Sequence, residues 1–215
     1  MKNNVKTIIS VVAVLAIIAI VGGGTYAYWS WSTTEEQRTL VTISIKGGTM
    51  KIDGGGNIST TERSLVPTTC TNTSSAIQRK IKVDSDNQTN MAMTESLQLK
   101  VDALTPAQGT LTTTNKASLK WVLVELANES EYTSSTWKGC TTTTNSGNFS
   151  NYATGNTITL KTSSIAAGTS STKYYELYIW LDSSYQHTNV GTTQSDPMQN
   201  LTLNLSWTGM LEQNH

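Results

Sequence analysis

Two cysteines, two histidines, 15 basic and 15 acidic residues hold most of the chemistry open to this 215-residue chain. Cys70 and Cys140 stand in Thr-rich stretches, and an even count in an oxidising compartment allows one disulfide; the other state is two free thiols. The bridge is the expectation if the chain is exported, provided the fold brings the Cα atoms within ~7 Å. Closing so long a loop stabilises by about 4 kcal/mol on the loop-entropy account. A zinc hydrolase helix needs two His at i and i+4 with a Glu between them as base. His187 falls in a polar stretch and His215 at the end of the sequence, so no such helix can be assembled. The string Asp84-Ser85-Asp86-Asn87-Gln88-Thr89 begins like a calcium loop. It departs where Gln88 replaces Asp or Asn and Thr89 replaces the turn Gly, so it reads as a polar hairpin tip. Gly54-Gly55-Gly56-Asn57 lacks the Lys and helix of a phosphate loop and reads as a turn. No Gly-x-Ser-x-Gly elbow occurs. Without a nucleophile, base and orienting group in any recognisable pattern, the expectation is no enzyme, no metal and no cofactor.

The composition that must position these groups is unusual. Thr and Ser number 37 and 24, only 14% of residues are charged, and six Trp and eight Tyr stand against one Phe. Thr, Tyr, Trp and Val suit a pleated, half-buried surface better than a helix. Balanced charge removes the basic footprint of a nucleic-acid binder, so no nucleic-acid partner is expected. Seven Asn-x-Ser/Thr triplets begin at Asn57, Asn72, Asn87, Asn128, Asn148, Asn200 and Asn204, little above what this hydroxyl content gives by chance.

Residues 1–27 read as an export signal. Lys2 and Lys6 precede an apolar run from Ile8 to Val21, short for a spanning helix and right for a signal-peptide core. Gly22-Gly23-Gly24 breaks the helix, and Thr25-Tyr26-Ala27 offers small residues ahead of a cut between Ala27 and Tyr28. The competing reading is an uncleaved anchor with Tyr26, Tyr28, Trp29 and Trp31 as an interfacial aromatic belt. Cleavage would leave a chain starting at Tyr28, secreted or held at the cell surface by assembly or by an anchoring partner.

The string Val21-Gly22-Gly23-Gly24-Thr25-Tyr26-Ala27-Tyr28-Trp29-Ser30 resembles the signal-peptide end of the TasA/camelysin family of secreted Gram-positive proteins, although Ser30 stands where Asp is common. Gly147-Asn148-Phe149-Ser150, Ile158-Thr159-Leu160, Ala167-Gly168-Thr169 and the run from Tyr175 to Asp182 are similar to the C-terminal half of related exported proteins. The resemblance implies processing by a SipW-type signal peptidase and a role as a homopolymeric subunit of a matrix fibre. It also implies donor-strand exchange, in which the N-terminal segment of one subunit completes a sheet of the next. Members are sometimes labelled metallopeptidases, a label the two separated histidines do not support.

Strand patterns dominate beyond Thr33. Tyr175, Leu177, Ile179 and Leu181 alternate with Glu176, Tyr178, Trp180 and Asp182, and Leu201, Leu203, Leu205 and Trp207 alternate as cleanly. Weaker alternation marks Val41, Ile43, Ile45; Ile77, Ile81, Val83 with Arg79 interrupting; and Leu97, Leu99, Val101. Lys120 to Leu126 is apolar on both faces, as in a central strand, and 50–52 and 157–160 are shorter candidates. Turns are expected at 47–48, 54–57, 84–90 and 141–147. The pattern gives an all-β fold: one antiparallel two-sheet sandwich, jelly-roll or immunoglobulin-like, over 39–215. Residues 28–38 form an N-terminal extension and possible donor segment. Trp29 and Trp31 are its anchors, with Val41, Ile43 and Ile45 at strand spacing beyond it. Tyr174, Tyr178 and Trp180 share the polar face of their strand, where they either bind a ligand or neighbour or are buried. Two functions therefore stand: an exported structural subunit of an extracellular fibre or biofilm matrix, or a monomeric, adhesin-like secreted binding domain.

Overall fold

The computed structural model describes residues 40–60, 65–70, 75–141, 144–185 and 196–214. Among these residues eleven strands run in order: β1 (Leu40–Ile45), β2 (Gly48–Asp53), β3 (Ile58–Ser59), β4 (Pro67–Thr68), β5 (Ile77–Asn87), β6 (Met93–Thr105), β7 (Leu119–Leu126), β8 (Asn145–Asn148), β9 (Thr157–Ile165), β10 (Ser170–Asp182) and β11 (Thr202–Gln213). Two short helices, α1 (Thr113–Ser118) and α2 (Glu129–Thr133), lie in the connections on either side of β7. Among the described residues no helix is long and apolar enough to cross a membrane.

The strands form two sheets packed face to face, an all-β sandwich. One has the order β1-β2-β5-β10-β7-β8, with β4 added beside β10 as a short parallel pair. The other has the order β3-β11-β6-β9 and is antiparallel throughout. Alternating inward residues build the core: Ile52, Ile81, Leu123, Leu177 and Ile179 from the first sheet, and Leu99, Ile158, Leu203 and Leu205 from the second. Phe149, in the chain just after β8, is fully buried with them. The β1–β2 hairpin turns at Lys46-Gly47, where Gly47 takes φ +77°, a left-handed conformation that glycine adopts without a Cβ penalty. The segment between β2 and β3 carries the chain from one sheet to the other and presses against Trp207. A Cβ on Gly54 would lie 2.1 Å from Nε1 of that indole, which donates to the Gly56 carbonyl at 2.9 Å.

Two turn expectations are corrected. Asp84 to Asn87 is not a hairpin tip but the end of β5, and the turn follows it. Asp84 and Asp86 accept from Thr172 and Ser170 of β10, and the Asn87 amide donates to the carbonyls of Met91, Ile165 and Ala166. Likewise Asn145 to Gly147, expected within a loop, belong with Asn148 to an edge strand paired with β7.

Candidate functional site

β10 is buried on both faces from Tyr175 to Leu181 because a second layer covers the outside of its sheet. That layer is the connection after β7, begun by Asn128, whose side chain caps α2 by accepting from the Glu131 N–H at 3.1 Å. Cys140, in a 3₁₀ turn at its end, is joined to Cys70 with a Cα–Cα distance of 5.8 Å. Beneath it Ala76, Val122, Val124, Tyr178 and Trp180 make a small second core, with Trp137 and the disulfide packed against it. Tyr178 and Trp180 are therefore buried, against this outer layer rather than the opposite sheet.

An ionic clamp fastens the layer. Glu176, fully buried on β10, accepts from the Tyr178 hydroxyl at 2.6 Å and from the Lys138 N–H at 2.8 Å. Lys80 of β5 places its ammonium 3.6 Å from the other carboxylate oxygen. The same ammonium donates to the carbonyls of Ser134 (2.5 Å), Glu131 (2.8 Å) and Thr136 (3.4 Å), and lies 5.3 Å from the centre of the Trp137 ring. Burial, followed by the hydrogen bond to Glu176, pushes the Tyr178 phenol above its ordinary pKa. A second buried carboxylate, Glu95 of β6, is held between the sheets by Lys173 at 2.6 Å and by the Ser85 hydroxyl. Both carboxylates are buried, and Oε1 of Glu176, with the Lys80 ammonium at 3.6 Å, has no hydrogen-bond partner among the described residues. Among the described residues no group of three or more His, Cys, Asp or Glu could hold a metal.

Two surface features remain. Beside the disulfide, a cavity of about 370 Å³ is floored by Trp180, Lys120, Val122, Ser146 and Asn148, with the Lys120–Asp182 ion pair (2.8 Å) next to it. The other is the side of the sandwich formed by β1 and β11. β11 pairs along its whole length with β6, but on its other side β3 meets only Asn204 and Leu205. Thr60 extends that contact by donating to the Leu203 carbonyl at 3.0 Å, and the Gly56 carbonyl covers the Trp207 indole. From Thr208 to Gln213 no strand among the described residues pairs with this edge. Above it runs β1, Leu-Val-Thr-Ile-Ser-Ile, an edge without charge, proline or bulge to protect it. Ile43 leans onto Gly209, where a Cβ would lie 2.8 Å from its Cδ1. Val41, Ile43 and Ile45 stay only half-buried, although they pack against the core. The opposite side is better closed: the Asn145 amide donates to the Leu160 carbonyl of β9 at 2.7 Å, and Lys161 pairs with Glu125.

Of the residues singled out in the sequence, Ala27, Tyr28, Trp29 and Trp31 lie outside the described residues, as do His187 and His215. Val41, Ile43 and Ile45 are strand residues of their own sheet, opposite Ile52, Met50 and Gly48. Their side chains, partly buried, pack against the core of their own sandwich. The Lys80–Glu176 and Glu95–Lys173 pairs escaped the sequence reading; a Glu at mid-strand between Tyr175 and Leu177 was the available signal. No family model matches the chain, and no curated protein matches it.

Proposed function

We propose that this chain is an exported structural subunit of an extracellular fibre or matrix, related to the TasA/camelysin family and assembling through its N-terminal segment. On this reading a SipW-type peptidase cuts between Ala27 and Tyr28, the partner is another copy of the chain, and no reaction is catalysed. The observation that carries it is the side of the sandwich where, among the described residues, no strand pairs with the outer edge of β1 or with the end of β11, which suits an added extended strand. The disulfide and the Ser/Thr-rich surface support an oxidising, extracellular location. Tests are the intact mass of the secreted protein and negative-stain microscopy of it, with and without residues 28–38. The proposal expects a start at Tyr28 and filaments that the deletion abolishes. A retained N-terminus, or filaments that survive the deletion, would contradict it.

A second reading is a monomeric secreted binding domain, favoured by the cavity beside the disulfide, whose hydroxyl, amide and charged groups suit a small hydroxylated ligand. A chain that stays monomeric at all concentrations and binds saccharides would favour it.

A further inference from the structure

Resting on the reading of the cavity beside the disulfide as a ligand site, we infer that it takes an acetamido sugar. The Trp180 indole N–H donates to the acetamide carbonyl, and Asn148 donates to a ring hydroxyl.

Strand register builds the floor. Residues opposite one another in adjacent strands share a face, so Trp180 of β10, Lys120 of β7 and Asn148 of β8 form one row across the outer side of the sheet. Val122 and Ser146 stand side by side in the next row. Cys70 and Cys140 line one end, where they pack against the cluster that holds Val122 and Trp180. Ser146 and Asn148, on the edge strand, line the other. A volume of about 370 Å³ is at the small end of ligand sites, room for one sugar ring with its substituents rather than a chain.

The polar groups on offer are donors. Trp180 is only 7% exposed, yet its Nε1 has no hydrogen-bond partner among the described residues. An indole N–H can only donate, and its burial unpaired costs free energy that an acceptor on a ligand recovers. The Asn148 side-chain oxygen accepts from the Ser150 N–H at 2.9 Å, which leaves the NH2 group of that amide to donate. Lys120 donates to Oδ2 of Asp182 at 2.8 Å, and Oδ1 of Asp182 accepts from the Ser184 N–H at 3.0 Å. Trp121, whose N–H is also unpartnered, belongs to the core face of the same sheet and packs on Gly147.

These groups select among ligands. A carboxylate would bring a second anion to Lys120, whose charge Asp182 already neutralises, so the fitting acceptor is neutral. The Trp180 end is also the apolar end, where Val122 and the disulfide lie. An acetamide serves both at once, with its carbonyl to the indole N–H and its methyl to Val122 and the disulfide. The hydroxyls of the ring then fall against Ser146, Asn148 and Lys120.

The test titrates isotope-labelled protein with N-acetylglucosamine, glucose, glucuronate and N-acetylalanine methylamide, and follows the tryptophan indole N–H signals by NMR. The signal missing from Trp180→Phe assigns that residue. The inference expects N-acetylglucosamine to shift it saturably and to leave Trp207, whose N–H donates to the Gly56 carbonyl, unmoved. Trp180→Phe keeps a ring and breaks no internal hydrogen bond, and Asn148→Asp keeps the acceptor for Ser150. Each should weaken binding about fivefold or more. Full affinity in both variants would overturn the inference by placing the sugar elsewhere. Glucose or glucuronate bound as tightly as N-acetylglucosamine would overturn the acetamide assignment while the ligand-site reading stands. Tighter binding of N-acetylalanine methylamide would make the ligand a peptide and overturn the sugar. If none of the four moves the Trp180 signal, the inference and the ligand-site reading fall together.

Discussion

Replacing Lys80 with Met should cost about 3–4 kcal/mol, because Glu176 would keep a charge in a site with no access to water. Breaking a buried ion pair from one side costs about 3–5 kcal/mol. The escape route is no cheaper: holding a proton at pH 7 on a carboxyl of ordinary pKa about 4.3 takes ~3.7 kcal/mol. The Glu131, Ser134 and Thr136 carbonyls would also lose their shared donor. Glu176→Gln should cost less, about 1–2 kcal/mol, since an amide still accepts from Tyr178 and the Lys138 N–H while Lys80 keeps its carbonyls. The double variant should then be more stable than the sum of the singles implies, by about 1–3 kcal/mol. Urea denaturation at pH 7 reads all four proteins. A Lys80→Met loss under about 1 kcal/mol, or strictly additive singles, would refute the clamp.

Reducing the Cys70–Cys140 bridge, or changing both residues to Ala, should cost about 4 kcal/mol. At roughly 2–4 °C per kcal/mol that lowers the melting temperature by about 8–16 °C, and amide exchange should accelerate first in 134–141. Acid should expose the Lys120–Asp182 pair: Lys120, then Ser184, hold the Asp182 carboxyl down to about 2. Its contribution, about 1 kcal/mol after solvent screening, is present above the ordinary carboxylate range and lost as pH falls through 2. Lys120→Ala should flatten that limb of the stability profile. Gly54→Ala should cost about 1–3 kcal/mol through collision with Trp207, seen as a lower denaturation midpoint and altered tryptophan emission.

The sandwich was legible wherever burial follows apolar alternation, as in β10 and β11. It was illegible where inward positions are polar. Ser85 and Asn87 occupy inward sites of β5 and are satisfied by Glu95 and by carbonyls as far along the chain as Ile165 and Ala166, partners that no local window contains. β8 was missed because a four-residue edge strand paired on one side needs no apolar face. The fate of Tyr178 and Trp180 depended on the outer layer, fixed by Lys80 and a disulfide across 70 residues of sequence. Of the candidate site, the sequence marked the two cysteines. The open edge of β11 became visible only from the register, in which β3 stops after two pairs.

The most direct measurement mixes intact chain with copies lacking residues 28–38 and follows filament length by electron microscopy. On the proposed assembly a copy without the segment would accept a neighbour's strand but offer none, so it should terminate growth. Mean length should therefore fall steadily as its share of the mixture rises, and labelled deleted copies should sit at one filament end only. Unchanged filament lengths, or deleted copies distributed along the filaments, would contradict assembly through the N-terminal segment.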